Sequence, residues 1–280
     1  MTGPSALTDD WSRFWHLTYN IARNEFKLRF FGSALGYVWQ LMRPLLLFGV
    51  LYVFFTQVAK VGQGGGPGNK YYGAQLLASI VLFTFFAEAT TGAVRSVVDR
   101  ENLVRKIQFP RLVIPLATSL LALFNLALNL VVVLVFALLS GVRPMLSWLE
   151  IPLILGMLLV LVVGLSMLLS ALYVPFRDIQ PIWDVITQIL FYASPVIIPI
   201  EQVRAHLVHH HLLLKLYMLN PLADILQQFR HAVINHSTPS AGAAIGGWTP
   251  LLAPIALTAV LFALGFWYFN RSAPLIAENL

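Results

Sequence analysis

Three consecutive histidines, His209, His210 and His211, are the residues whose type and spacing most suggest chemistry, namely coordination of a divalent cation. On a helix, three successive side chains leave the axis in about three different directions and cannot converge on one ion without distortion. They read instead as the polar edge of an interfacial segment. A glycine-rich run from Gly62 to Asn69 precedes Lys70. A phosphate-binding loop needs glycine before its lysine and a hydroxyl after it, whereas Lys70 stands between Asn69 and Tyr71. The run reads as a flexible linker. The chain has no cysteine, which excludes disulfides, thiolate metal sites and cysteine nucleophiles. No Ser-His-Asp arrangement, paired-carboxylate signature or H-E-x-x-H occurs. No catalytic residue, metal or cofactor is therefore expected in this chain.

The remaining polar groups matter because of where they sit. Glu88 lies inside a long apolar run, and Arg43 lies near the start of another. Counted at about 1.5 Å per residue from the ends of their helices, the two reach similar depth. An ion pair between them is one reading, since unpaired charges in a membrane are costly; separate snorkelling or a wet cavity is the other. Asn125 and Asn129, four apart, share a helix face, and interhelical hydrogen bonding accounts for them without a substrate.

The elements that hold these groups follow from composition. Hydrophobic residues make up 58% of the 280, charged residues only 11%, and mean hydropathy is +0.77. Soluble domains carry about 25% charged residues, so the bilayer is the chain's main solvent. The net charge of +6 is spread between apolar runs and forms no single basic patch, which argues against nucleic-acid binding. Residues 1–10 are polar and acidic, without a basic-then-apolar signal, so the spans themselves direct insertion.

Six spans are expected, at 35–58, 75–94, 113–140, 151–174, 181–200 and 248–270. The runs lack the two-residue alternation of barrel strands, so each is read as a helix. The fold class is an all-α polytopic membrane protein, a single transmembrane domain over 1–280. With the N-terminus inside, 12 of the 18 lysines and arginines fall on the inner side, which places both termini in the cytoplasm.

Two further segments belong to this plan. At 11–31, Trp11, Phe14, Trp15, Thr18, Ile21 and Ala22 recur at helical spacing, with Arg23, Lys27 and Arg29 nearby. They predict an amphipathic helix on the cytoplasmic membrane surface; the alternative is a short soluble arm. At 201–247 an apolar stripe of Leu222, Ile225, Leu226, Phe229 and Val233 leaves Asp224, Gln227, Gln228, Arg230 and His231 off it. Short re-entrant helices dipping into the outer leaflet fit that pattern. Between the second and third spans, Arg100-Glu101-Asn102-Leu103-Val104-Arg105-Lys106 and Phe109-Pro110-Arg111 mix charges with apolar anchors. This loop either docks into a cytoplasmic partner or is a solvated positive-inside loop.

The order of several short motifs then matters. Arg23-x-x-x-Lys27-x-Arg29 is followed by Ser33-Ala34-Leu35-Gly36-Tyr37-Val38-Trp39 and Pro44. Further along come Asn102 to Lys106 with Phe109-Pro110-Arg111, Phe176-Arg177-Asp178-Ile179, Ser194-Pro195-Val196, Leu219-Asn220-Pro221 and Ala277-Glu278-Asn279-Leu280. Together, over nearly the whole chain, they resemble polysaccharide-exporting ABC transporter permeases, the family of O-antigen, teichoic acid and capsule exporters.

The resemblance implies a homodimer of six-span protomers with an interfacial N-terminal helix, re-entrant helices before the last span, and two copies of a separate ATPase subunit below. ATP and magnesium would bind in that ATPase. Arg100 to Arg111 would correspond to its coupling helix, and the N-terminal helix, with Trp11 and Trp15, would also meet the ATPase. A lipid-linked polysaccharide would pass between protomers, with Tyr37, Trp39, Phe86, Phe191 and Tyr192 as candidate aromatic lining. The glycan itself stays open, among O-antigen, actinobacterial galactan, teichoic acid and capsule. Two rival functions also stand: export of a drug or free lipid by the same architecture, and a membrane-embedded enzyme of glycolipid synthesis.

Overall fold

The computed structural model describes residues 11–30, 36–61, 71–101, 110–206 and 211–275. Every regular element among them is helical. Helix α1 spans Trp11–Phe30 and α2 spans Gly36–Val53, which runs on into a π-helical turn at Phe54–Val58. Then follow α3, Tyr72–Ser96; α4, Val113–Leu139; and α5, Ile151–Tyr173, entered through a 3-10 turn at Leu146–Glu150. Helix α6 covers Ile179–Tyr192, α7 Ile200–His206, α8 His211–Met218 and α9 Pro221–Phe229, which continues as a π-helical turn at Arg230–Ile234. Helices α10, Ala241–Ile245, and α11, Trp248–Ser272, complete the described chain.

Five stretches among the described residues are long and apolar enough to cross a membrane: Val38–Val58, Tyr72–Ser96, Val113–Leu139, Leu146–Tyr173 and Trp248–Ser272. The span expected at 181–200 is not one continuous helix. Helix α6 has 14 residues and stops at Tyr192, about 21 Å against a hydrocarbon core of about 30 Å. Pro195 and Pro199 explain the stop, because each lacks a backbone N–H and restrains the residue before it.

Helix α3 is the centre of the bundle. It is apolar on all faces and buried along most of its length, packed between α4, α5, α2 and α6. Helices α5 and α11 form the other intimate pair. A Cβ placed on Gly265 would lie 2.1 Å from the Gly164 carbonyl oxygen, and one on Gly164 would lie 2.6 Å from Phe262 Cα. Only glycine allows two backbones this near approach, the small-residue contact by which membrane helices gain packing energy without a hydrophobic drive. Helix α2, by contrast, leaves most of its surface uncovered, with Trp39, Leu46, Val50 and Val53 exposed.

The two ends of the bundle differ. Around Phe14 gather Val97, Val113, Ile114, Ala171 and Phe269, so the ends of α3, α5 and α11 and the starts of α1 and α4 meet there. At the opposite end the described residues between 194 and 247 form a lid of short helices against α5 and α11. Helix α6 joins the two ends. Near its start Trp183 Nε1 donates to Thr90 Oγ1 at 3.1 Å, near its finish Phe191 meets Phe83 edge-on, and beyond it the Ile197 carbonyl accepts from the hydroxyl of Tyr72 at 3.1 Å.

Candidate functional site

Helix α1 is amphipathic as its spacing predicts, with Phe14, Thr18 and Ala22 buried in one line and Trp11, Trp15, Arg23 and Lys27 exposed. It does not stay at one level, however. Phe14 packs at the start of α4, while Tyr19 and Phe26 both edge onto Phe124, about 16 Å further along that helix. The climb carries Arg29, close to the end of α1, to the middle of α3.

There Arg29 Nη1 donates to Glu88 Oε1, and Asn125 Nδ2 donates to the same oxygen at 2.9 Å. Of the two readings of Arg43 and Glu88, the mutual ion pair is therefore corrected: the partner of Glu88 is Arg29. Depth counting along α2 and α3 could not reveal this, because it treats α1 as a surface helix. Arg43 lines the same cavity as Glu88 and makes no ion pair among the described residues. Asn125 bridges helices as expected. Asn129 instead donates to the Asn125 carbonyl of its own helix at 2.9 Å.

The cavity has a volume of about 400 Å³ and lies between α2, α3, α4 and α6. Gln40, Arg43, Glu88, Asn125 and Asn129 give it a polar side, while Phe83 and Phe191 give it an aromatic one. With Arg29 and Glu88 offsetting each other, Arg43 leaves the cavity positive. Among the described residues lining it, none forms a nucleophile with an adjacent base, so the arrangement suits passage or binding of a polar molecule better than bond chemistry.

Of the aromatic candidates, Phe191 lines this cavity, and Trp39 and Tyr192 are exposed. Phe86 is 1% exposed and packed on Phe83 and Trp183, which removes it from any channel wall. The side chain of Tyr37 lies outside the described residues, as do Asn102, Leu103, Val104, Arg105, Lys106 and Phe109 of the loop, the 62–69 run, His209, His210 and the tail motif.

The described ends of the 100–111 loop are anchored. Arg100 donates through Nε to Glu25 Oε1 at 3.1 Å and through Nη1 to the Ser96 carbonyl at 3.0 Å, tying the loop to α1. Glu101 and Pro110 are half-buried. Arg111 is 3% exposed, with Nε and Nη1 lacking partners among the described residues, and burial lowers its pKa.

The sequence reading gave one residue no role. Arg230, placed there off the apolar stripe of the re-entrant segment, is 1% exposed. It donates from Nε to Ser79 Oγ at 2.9 Å and from Nη2 to the Val196 carbonyl at 2.8 Å. Burial pushes its pKa down to about 10, so it stays cationic at neutral pH. Asp224 and Gln227, also placed off that stripe, are buried too, because α9 is buried along nearly its whole length. Two of the short motifs meet here: Asn220 Nδ2 donates to Ser194 Oγ at 2.8 Å, while Asn220 Oδ1 caps α9 by accepting from Leu222 N at 3.1 Å.

The profile of the ABC-2 type transporter family matches residues 16–234, most of the chain and all of the features just described from Thr18 to Arg230. The chain belongs to the ABC-2 type transporter family. Similar proteins include an O-antigen export system permease protein RfbA of Myxococcus xanthus, 25% identical over 264 residues, 94% of this chain and 95% of that one. Another, of the same name from Klebsiella pneumoniae, is 26% identical over 216 residues, 77% of this chain and 79% of that one. As an ABC-2 protein with several long apolar helices, it is a multi-pass membrane protein.

Proposed function

We propose that this chain is the membrane subunit of an ABC transporter that exports a polysaccharide, driven by ATP hydrolysis in a separate ATPase subunit. The observation that carries this reading is the likeness to O-antigen export permeases along nearly the full length of both chains. The cavity supports it: a positive, polar and aromatic-sided hollow among membrane helices suits hydroxyl-rich cargo, whose rings stack on aromatic faces. The permease itself catalyses no bond chemistry and needs no cofactor; ATP and magnesium belong to the partner.

Finer parts of the reading extend this. The cargo is carried on a lipid, the protein sits in the bacterial cytoplasmic membrane, and both termini face the cytoplasm. The chain crosses six times, α6 with residues 193–199 making the fifth crossing, and the segment from 194 to 247 is re-entrant from the outer side. Two protomers pair, with two ATPase copies beneath, and the exposed face of α2, which carries Trp39 and Arg43, contributes to the path between them. The loop from Arg100 to Arg111, with α1 braced to it, receives the ATPase stroke.

Deleting the gene tests the reading. Long lipid-linked glycan should accumulate inside the cell, with synthesis intact and surface glycan lost. Unchanged surface glycan would overturn it. The purified permease should hydrolyse no ATP until its ATPase subunit is added.

A further inference from the structure

A second cavity, about 500 Å³, opens at the lid end of the bundle, between the starts of α5 and α11 and the buried helix α9. Its walls are apolar: Leu153, Ile154 and Met157 from α5, Leu251 and Ile255 from α11. Into this setting three groups bring one kind of chemistry. Asp224 lines the cavity at 3% exposure, and neither of its carboxylate oxygens has a hydrogen-bond partner among the described residues. Glu150 stands at the mouth, where Oε2 accepts only a neutral amide, from Gln228 Nε2 at 2.7 Å. Trp248, the first residue of α11, is 83% exposed and lines the same mouth.

A buried carboxyl with both oxygens idle is an expensive arrangement. Among the described residues no lysine or arginine lines the cavity, and His231, which does, has Nδ1 engaged with the Thr238 carbonyl at 2.7 Å. The missing complement is a cation. The apolar walls argue against a bare divalent ion, which needs six or more oxygen ligands or its own water. They suit a cation that carries a hydrocarbon tail. Leu153, Leu252 and Ile255 continue the walls as exposed apolar surface on two membrane-spanning helices, so the cavity opens where that surface begins, at headgroup depth. An indole beside two carboxylates is also the setting that recognises ammonium groups.

We propose that this cavity holds the ammonium headgroup of an ethanolamine phospholipid, with Asp224 and Glu150 as its counter-charges, Trp248 against the cation and an acyl chain laid over Leu153 and Ile255. The site is separate from the transport cavity and does not depend on which polymer is exported. With the cavity empty, burial raises the Asp224 pKa to about 8, which keeps the group a neutral acid at pH 7; an ammonium supplies the charge that lets it ionise.

The test is lipid retention by the full-length permease, delipidated in detergent and examined by native mass spectrometry. Equal amounts of palmitoyl-oleoyl phosphatidylethanolamine, its N-acetylated form and phosphatidylglycerol compete for it. The expected result is retention of the ethanolamine lipid about tenfold over the other two, with free ethanolamine a poor competitor. Asp224→Asn and Glu150→Gln should each cut that preference by about threefold or more. Leu153→Trp should block retention while leaving both carboxylates in place, and it decides the matter should Asp224→Asn fail to fold. Equal retention of the three lipids, an undiminished preference in the folded variants, or competition by free ethanolamine or magnesium as strong as by the lipid would overturn the proposal.

Discussion

The Glu25 carboxylate of α1 accepts from the Arg100 guanidinium at the foot of α3, where the 100–111 loop begins. The described start of the loop is thereby tied to the helix, and α1 in turn runs up to Glu88 through Arg29. Under the proposed coupling, a push on the loop would reach the cavity beside Glu88 through α1.

Breaking that joint should separate folding from work. The pair is partly exposed, a class of contact worth about 0.2–1 kcal/mol, so Glu25→Gln should leave the thermal midpoint of the purified permease nearly unchanged. Transport by the assembled complex should fall by about fivefold or more, within the usual range of coupling energies. The Glu25→Arg/Arg100→Glu double variant should recover part of it. Transport measured in vesicles beside unfolding curves checks both halves.

The Arg29–Glu88 pair predicts a particular pattern of non-additivity. Glu88→Met leaves Arg29 uncompensated among apolar helices and deprives Asn125 of its acceptor. Losing one partner of a buried pair costs about 3–5 kcal/mol, a figure to be reduced here because Arg29 is partly exposed, whereas replacing both is far milder. The Arg29→Met/Glu88→Met protein should therefore be more stable than either single variant in a double-mutant cycle. An Arg43→Glu/Glu88→Arg exchange should rescue nothing.

Arg230 pins the lid. Arg230→Ala removes two hydrogen bonds and strands the Val196 carbonyl, while Ser79 keeps its bond to the Gln75 carbonyl. Its cost should be about 3 kcal/mol, against about 1 kcal/mol for Ser79→Ala. Denaturation in detergent gives the ranking, and limited proteolysis within 194–247 should quicken in Arg230→Ala.

The α5–α11 crossing should tolerate no side chain. Gly265→Ala forces two backbones apart, an overpacking penalty of about 1–3 kcal/mol or more. Gly156→Ala, on α5 with open space around it, is the control and should be near neutral. Yield of folded protein and thermal midpoint report the contrast.

Asp224 sets the sign of a pH effect. Its folded pKa, near 8, lies above the ordinary value of 3.8, so the folded chain binds more protons between those values. The stability it contributes is complete below about pH 3.8 and fades as pH rises to about 8. In lipid-free detergent the midpoint should fall across that window, and Asp224→Asn should flatten the slope.

How much of this could be read from sequence depends on which force shaped each part. Long apolar runs announce themselves, because a bilayer demands about 20 such residues whatever the tertiary packing; α2, α3, α4, α5 and α11 stand where hydropathy puts them. Helix α6 does not, since proline chemistry cut its run short. The line Phe14, Thr18, Ala22 was visible as periodicity, but the climb of α1 was not, and with it went the correct partner of Glu88. Arg230 was hidden for a related reason. A lone arginine between Phe229 and His231 carries no sign of burial in the sequence, and only the fold brings Ser79 and Val196 to it. A hint existed in the Ser-Pro-Val and Asn-Pro motifs, whose polar side chains bond each other beside it.

The glycine contact between α5 and α11 has a mechanical meaning. Two helices touching main chain to main chain have no side-chain cushion to shear, so they move as one beam. Helix α3, wedged in the centre, belongs to the same stiff frame. Helix α2 is the compliant member, held along one side only, and under the proposed coupling it is where a stroke passed on from α1 would meet least resistance.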